Sequence, residues 1–554
     1  MTIPKPKITG LRAFSIAVLV LFIAFPLWQM VQQSFFVDGG VSAGNYGRFF
    51  SPEQTRSLDA LWGSVWISIV SVICAGLIGV PLAILFERVD LPAKNFLSAV
   101  ATLPIVLPPL VGVFAFLYSF GESGIFPRLL QSMLGAEKPV LALDGVSGVI
   151  VVHAYSFYVY FFLFTRAAFQ RLDGSVIEAA RSLGSSHFRL YREIIFPQLW
   201  PAMSGAAIIV FMVSMASFTA PLIFAGDYRF LTVEIFNNKV NGDMPMAITQ
   251  SVMLGAISLV FLFVNLTTTG RENAAGQKGV PLPPRPISSK TGRYLAIFAA
   301  VSASLLLTIP HLTIFLLSFV QDGSWTTQIF PDSFTFDNYS KILSGGRAAR
   351  PVLNSARMAL IATAANIAFA VAFAYWHSKG KVLGRKLSEI MIMLPWAIPG
   401  TVVAIALIVA FNEPRWFTGG QILVGTFWIL PLAYFIRHLP VVYRSSLAAF
   451  QQLDRSQEEA AKSLGAGGLM TLRRVILPAV WPGVVAGALL ATVMSLGEFV
   501  SSILIYLPSN RPISLAIFNE IRLFNLGTAS AYGVFLTFLI FFVTFFSSRS
   551  GQRF

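Results

Sequence analysis

The sequence predicts an all-α integral membrane protein of twelve transmembrane helices, arranged as two parallel six-helix repeats. Three observations carry that expectation. Hydrophobic residues make up 55% of the 554 and charged residues only 12%, whereas a soluble globule keeps about a quarter of its residues charged. The apolar residues fall in unbroken runs of helical length, such as 67–86 and 534–546, without the alternation of a barrel strand. A polar segment also recurs 281 residues further on in nearly the same letters.

Taking apolar runs of about 20 residues as spans, the first six lie near 11–35, 61–86, 95–120, 146–168, 201–226 and 247–268. The second six lie near 294–320, 352–377, 387–411, 422–443, 482–507 and 528–547. Lys5, Lys7 and Arg12 lead into the first run, and no small-residue cleavage site follows it. It therefore reads as a retained helix rather than a secretory signal. With the N-terminus in the cytoplasm, Lys and Arg concentrate in the segments on that side, and both termini lie there. The net charge of +15 thus follows from topology, and no aromatic-interleaved basic patch supports a nucleic-acid partner.

Residues 270–293, rich in Gly, Pro and charge, read as a cytoplasmic linker between a first repeat, 1–269, and a second, 294–554. Because six is even, both repeats start from the same side and are parallel. Cys74 is the only cysteine, so no internal disulfide and no Cys-x-x-Cys site can form. The five histidines show no ligand spacing, and no resident metal is expected.

The repeated segment reads Glu178, Ala179, Ala180, Arg181, Ser182, Leu183, Gly184 against Glu459, Ala460, Ala461, Lys462, Ser463, Leu464, Gly465. Pro197 and Pro201 likewise pair with Pro478 and Pro482. Each copy falls in the cytoplasmic loop between the fourth and fifth spans, about 172–200 and 453–481. Asp173 and Asp454 are placed to cap a helix that Gly184 and Gly465 stop. A second short helix is expected from Ser186 to about Ile195, ended by Pro197, with Pro201 opening the next span; the second copy repeats this plan. Adjacent alanines beside a glutamate make a low-relief surface suited to close approach by another protein, rather than the wide apolar face of a membrane-surface helix.

At these residues the chain resembles the permeases of type I ABC importers, whose signature loop reads Glu-Ala-Ala, three residues, Gly, and later Ile-x-Pro, here Ile195 to Pro197 and Ile476 to Pro478. The resemblance implies the fold of that group and two copies of a cytoplasmic ATP-hydrolysing subunit. One would dock on Glu178, Ala179, Ala180 and Gly184, and the other on Glu459, Ala460, Ala461 and Gly465. It also implies an external or periplasmic substrate-binding protein and a bacterial inner-membrane location. The chain holds no G-x-x-x-x-G-K-[ST] phosphate loop. ATP and Mg are therefore expected on the partner, with no cofactor on this chain and no enzymatic activity of its own.

Glu498 is the one carboxylate read as lying at membrane depth, and such groups default to function. With its neighbour Phe499 and their counterparts Ser217 and Phe218, it forms a candidate translocation path. Pro104 and Pro108, with Pro395 and Pro399, recur in the third spans and are candidate hinges, since proline frees backbone carbonyls. For cargo, the fusion of two permease halves resembles the ferric-iron importer group, and fused permeases for thiamine and 2-aminoethylphosphonate are similar. An ion-coupled secondary transporter with the same helix count would need more intramembrane ionisable groups.

Overall fold

The computed structural model describes residues 7–551 except 38, 54, 106, 270–288, 326, 327 and 380–383. Most of the expected linker, 270–288, therefore lies outside the described residues. Nearly everything else of length is helical. Among the described residues, ten helices are long and apolar enough to cross a membrane. The count reaches eleven if the bent pair Arg385–Ala397 and Gly400–Phe411 is taken as one span. The remaining expected span, near 422–443, is the 24-residue helix Ile429–Gln452. Arg437, His438 and Arg444 lie within it and lower its hydropathy.

Several expected helices are interrupted where sequence alone suggested continuity. The third span of the first half is split into Lys94–Ala101, a single tight turn Leu103–Ile105, and Pro109–Phe120. Its counterpart turns by 113° between Ala397 and Gly400. The physical cause is the same in both. Pro108 (ψ 136°) and Pro399 (ψ 148°) adopt extended backbone immediately before the helix restarts. Proline also disfavours helical geometry in the residue before it. Of the candidate hinge prolines, Pro108 and Pro399 sit at the breaks, Pro104 lies in the tight turn, and Pro395 lies inside a helix.

The fifth spans break as well. Phe196–Met215 is followed by a short helix Thr219–Phe224, and Leu477–Leu496 by Val500–Ile505. Ser217 and Glu498 fall in these two breaks.

Conversely, Pro197 and Pro478 do not end helices as expected. Each is preceded by a widened five-residue turn, Tyr191–Ile195 or Leu472–Ile476, and the chain runs on as one helix from Phe188 to Met215 or from Gly468 to Leu496. The same widening, Val20–Ala24, precedes Pro26. A proline ring collides with the carbonyl four residues back and offers no N–H to it. A wider turn absorbs both problems without stopping the helix. Pro201 and Pro482 accordingly lie inside helices instead of opening them.

The chain forms two compact units, Met1–Arg48 with Asn238–Val252 and Thr335–Phe554, and Phe49–Asn237 with Met253–Phe334. Each unit thus combines the first helix of one half with the main helices of the other. In the second, Lys290–Leu317 packs on Lys94–Ala101 and Pro109–Phe120. Ser119 donates to Thr313 at 2.8 Å, and the Tyr155 hydroxyl donates to the Leu307 carbonyl at 2.9 Å. In the first, Phe25–Ser34 packs on Gly400–Phe411, with the Phe22 and Phe411 rings stacked at 5.9 Å. Apolar helix faces bury equally well against either half, so sequence carries no mark of this exchange.

Candidate functional site: duplicated loops and broken helices

The two loops between the fourth and fifth helices are close copies in three dimensions. Asp173 and Asp454 cap Gly174–Ser182 and Arg455–Ser463 by accepting from the amides of Ser175 (3.0 Å) and Ser456 (2.9 Å). That bond to Ser456 holds the exposed Asp454 carboxyl below its ordinary range, because it favours the charged form. Each helix ends on a left-handed glycine, Gly184 and Gly465, both at φ +81°.

The bonds that close the helices match as well. Gly184 N–H meets Arg181 O (2.8 Å) and Ser185 N–H meets Ala180 O (3.0 Å). The second copy repeats this with Gly465 to Lys462 and Ala466 to Ala461, both at 3.0 Å. A residue with a side chain pays a steric penalty at this φ, which is why glycine stands here. The turn lifts one apolar side chain into the open in each copy. Leu183 and Leu464 are both 88% exposed.

The residues beneath the loops differ. Ile177 is buried with Phe169, Leu172, Leu190, Ile195 and Leu199. Its counterpart Glu458 instead binds Lys379, at the end of Gly346–Ser378, and Lys462 at 3.0 Å. The hydrogen bond from Lys379 holds the Glu458 carboxyl below the usual range, more than offsetting its partial burial.

The breaks in the fifth helices also differ. In the first half, His153 is fully enclosed and satisfied. Its Nε2 is 2.8 Å from Ser217 Oγ, and its Nδ1 is 2.9 Å from Ser71 Oγ and 3.2 Å from Ser214 Oγ. In the second half, the Glu498 Oε1 accepts from both the amide and the hydroxyl of Ser501, at 3.0 and 3.1 Å, so it caps Val500–Ile505. Its Oε2 lies 3.1 Å from Arg437 Nε and 3.9 Å from His438 Nε2. Phe218 and Phe499 are buried, packing on Phe236 and Phe518. Glu498 is therefore a buried carboxylate with one oxygen hydrogen-bonded by Ser501 and the other in an ion pair with Arg437. Arg437 and His438 were missed from the sequence, although an Arg-His pair inside an apolar run is the signal that marks them.

Residues 75–268 and 366–554 each match the sequence profile of one family, described as binding-protein-dependent transport system inner membrane component. The chain belongs to that family. The match is repeated, once per half, as the duplicated letters require. A probable ABC transporter permease protein, y4fN, of Sinorhizobium fredii is 30% identical over 92% of this chain and 89% of its own length. A ferric transport system permease protein, FbpB, of Actinobacillus pleuropneumoniae is 25% identical over 90% of this chain and 73% of its own. A molybdenum transport system permease protein, ModB, of Mycobacterium bovis is 28% identical over 45% of this chain and 90% of its own. A bacterial ABC transporter involved in alginate import, known from a crystal structure, aligns over 47% of this chain and 96% of its own at TM-score 0.38 and 17% identity.

The protein is thus a multi-pass ABC importer permease with two fused permease domains, a transport component rather than a catalyst. Among the described residues of this permease no group of three metal-ligating side chains converges. Cys74 is half-buried and unpaired.

Proposed function

We propose that this permease carries ferric iron inward by alternating access, driven by two cytoplasmic ATPase subunits that dock on its duplicated loops. The observation that carries the docking is the matched pair of capped helices. Glu178, Ala179, Ala180 and Gly184 fall on one, and Glu459, Ala460, Ala461 and Gly465 on the other, each ending in the same turn and the same exposed leucine. ATP and Mg belong to those subunits, and a binding protein delivers cargo to the outer face. Both termini lie in the cytoplasm, in accord with the basic residues on that side. The sequence halves, 1–269 and 294–554, act as the two permease repeats, with the linker 270–293 between them on the cytoplasmic side.

Iron is favoured by coverage. Ferric-transport relatives align over 90%, 85% and 87% of this chain. The sulfate, spermidine/putrescine and molybdenum relatives align over 34–45%. Of these cargo-named relatives the ferric group spans both halves, as does the y4fN relative, whose name gives no cargo.

The test is uptake by vesicles that hold the permease with its ATPase and its binding protein. ATP-dependent entry of labelled ferric iron, with none of thiamine or 2-aminoethylphosphonate, is expected. Entry of either organic cargo instead of iron overturns the cargo assignment. Entry driven by an ion gradient without ATP overturns the importer mechanism itself.

A further inference from the structure

The two halves fasten the ends of their second, third and fourth helices with different chemistry. In the first half, Phe86 in the last turn of Arg56–Arg88 stands edge-on to Phe162 of Gly145–Phe169, with ring centroids 5.6 Å apart at 89°. Leu97 of Lys94–Ala101 is buried in the same apolar cluster. The repeat offsets, 291 for the second and third helices and 281 for the fourth, put His377, Ser388 and Tyr443 at these three places. The His377 and Tyr443 rings stand at the same 5.6 Å and 89°. Geometry is kept, yet three apolar side chains have become three polar ones, exposed by only 3%, 6% and 0%.

Every proton in this triad is accounted for. Ser388 Oγ donates its one hydrogen to the carbonyl of Arg385 or Gly384, at 3.0 and 3.1 Å. It therefore accepts from the Nε2–H of His377, 2.9 Å away. The imidazole is then neutral with Nδ1 bare, and Nδ1 takes the hydroxyl hydrogen of Tyr443 at 2.6 Å. A proton added at Nδ1 sets two hydrogens against each other. Tyr443 must turn its own away, and its hydroxyl has no other partner among the described residues. A buried donor without an acceptor is costly, so the bond between the helices opens.

The triad stands between a loop and a bend. Two residues on from His377, Lys379 ties Glu458 of Arg455–Ser463. Ser388 lies on Arg385–Ala397, which leads into the 113° turn before Gly400. The charged groups around the triad are Arg385 and Glu389 on that helix, and Arg444 on Ile429–Gln452, 3.9 Å from Glu389. Leu477–Leu496, also packed on Gly346–Ser378, has no charged residue, and Lys7–Leu19, which touches it too, carries Lys7 and Arg12.

An apolar joint and a hydrogen-bonded joint hold one geometry here, but only the second can be opened by a proton. Histidine ordinarily changes charge between about pH 5 and 8. We infer that His377, Tyr443 and Ser388 form a pH-sensitive joint, closed around neutral imidazole and opened when the ring gains a proton. Opening frees Arg385–Ala397 from Gly346–Ser378, and so from the support of the second loop. The consequence rests on the proposed function: with the loops in the cytoplasm, acid on that side slows transport while the ATPase stays docked.

The test is amide exchange on the full chain, with and without its ATPase, read in Arg385–Ala397 relative to Lys94–Ala101 at each pH. In the wild type this ratio should rise about threefold or more from about pH 7.5 to about pH 5.5. It should stay flat in His377→Phe/Ser388→Leu/Tyr443→Phe, which installs the first half's own residues. His311→Gln, changing a histidine of the other compact unit, should respond like the wild type. Tyr443→Phe alone covers a triple variant that does not fold: its ratio should already be raised at about pH 7.5 and respond less to acid. A wild-type ratio that ignores pH, or an equal rise in the triple variant, overturns the joint. Exchange needs neither cargo nor turnover, so an ATPase that fails to dock would sink the importer reading and leave this result standing.

Discussion

The two duplicated loops present one surface on two different mounts. What faces the solvent is duplicated closely, from the aspartate cap to the left-handed glycine and the exposed leucine. What lies underneath is duplicated only in part: Phe450, Ile476 and Val480 are buried where Phe169, Ile195 and Leu199 are, but two positions differ. The first loop rests on Ile177 and Leu190 inside an apolar cluster. At the same positions the second has Glu458, tied to Lys379 and Lys462, and Thr471, whose hydroxyl turns back on the Gly467 carbonyl at 3.2 Å. Apolar burial is not screened by salt, whereas a partly exposed ion pair is. The difference teaches that one turn geometry can be held by an apolar weld or by an ion-pair latch.

Exchanging the mounts gives the largest effect. Ile177→Glu strands a carboxylate in an apolar cluster, at about 3 kcal/mol or more. Amide exchange across Gly174–Ser182 should then rise to that of an unfolded segment, while Glu458→Ile leaves Arg455–Ser463 protected. Equal tolerance in both loops would remove the distinction.

Next come the glycines. Valine at Gly184 or Gly465 forces a β-branched residue to φ +81°, at about 1–2 kcal/mol each. Because the turn is common to both loops, the losses of ATPase binding should match within a factor of two in single-site affinity measurements.

Salt separates the loops more gently. Exposed or partly exposed pairs contribute about 0.2–1 kcal/mol. Raising salt should speed exchange in Arg455–Ser463 up to a few-fold and leave Gly174–Ser182 unchanged, and Glu458→Ile should abolish that response. The smallest effect is acid. A carboxyl with a lowered folded pKa contributes stability that is complete above its unfolded value of about 4.3, and loses it as pH falls through the lower folded value. Amide exchange in Arg455–Ser463, relative to Gly174–Ser182 at each pH, should rise only below about pH 4.3; a rise near neutrality would contradict the assignment.

Much of this was legible in the letters, and the reasons for the rest are physical. The loops could be read because capping aspartates, stop glycines and a repeat offset are local signals. The breaks at Pro108 and Pro399 were half visible, since proline announces a disturbance without saying whether the helix bends, stops or widens. Pro197 and Pro478 show the third outcome. The exchange of first helices left no trace, because nothing in an apolar face names its neighbour. Glu498 was found and Arg437 was not, although each makes sense only with the other. The letters of Glu498 did not name its partners, the amide and hydroxyl of Ser501 and the guanidinium of Arg437.

The central claim is that one chain carries two motor sockets. Native mass spectrometry of the permease purified with its ABC ATPase tests it most directly. The account predicts two ATPase subunits per chain, with occupancy lowered at one site after valine replaces either Gly184 or Gly465 and at both after the double replacement. Occupancy undiminished in the double variant, or a wild-type chain that binds none, would contradict it.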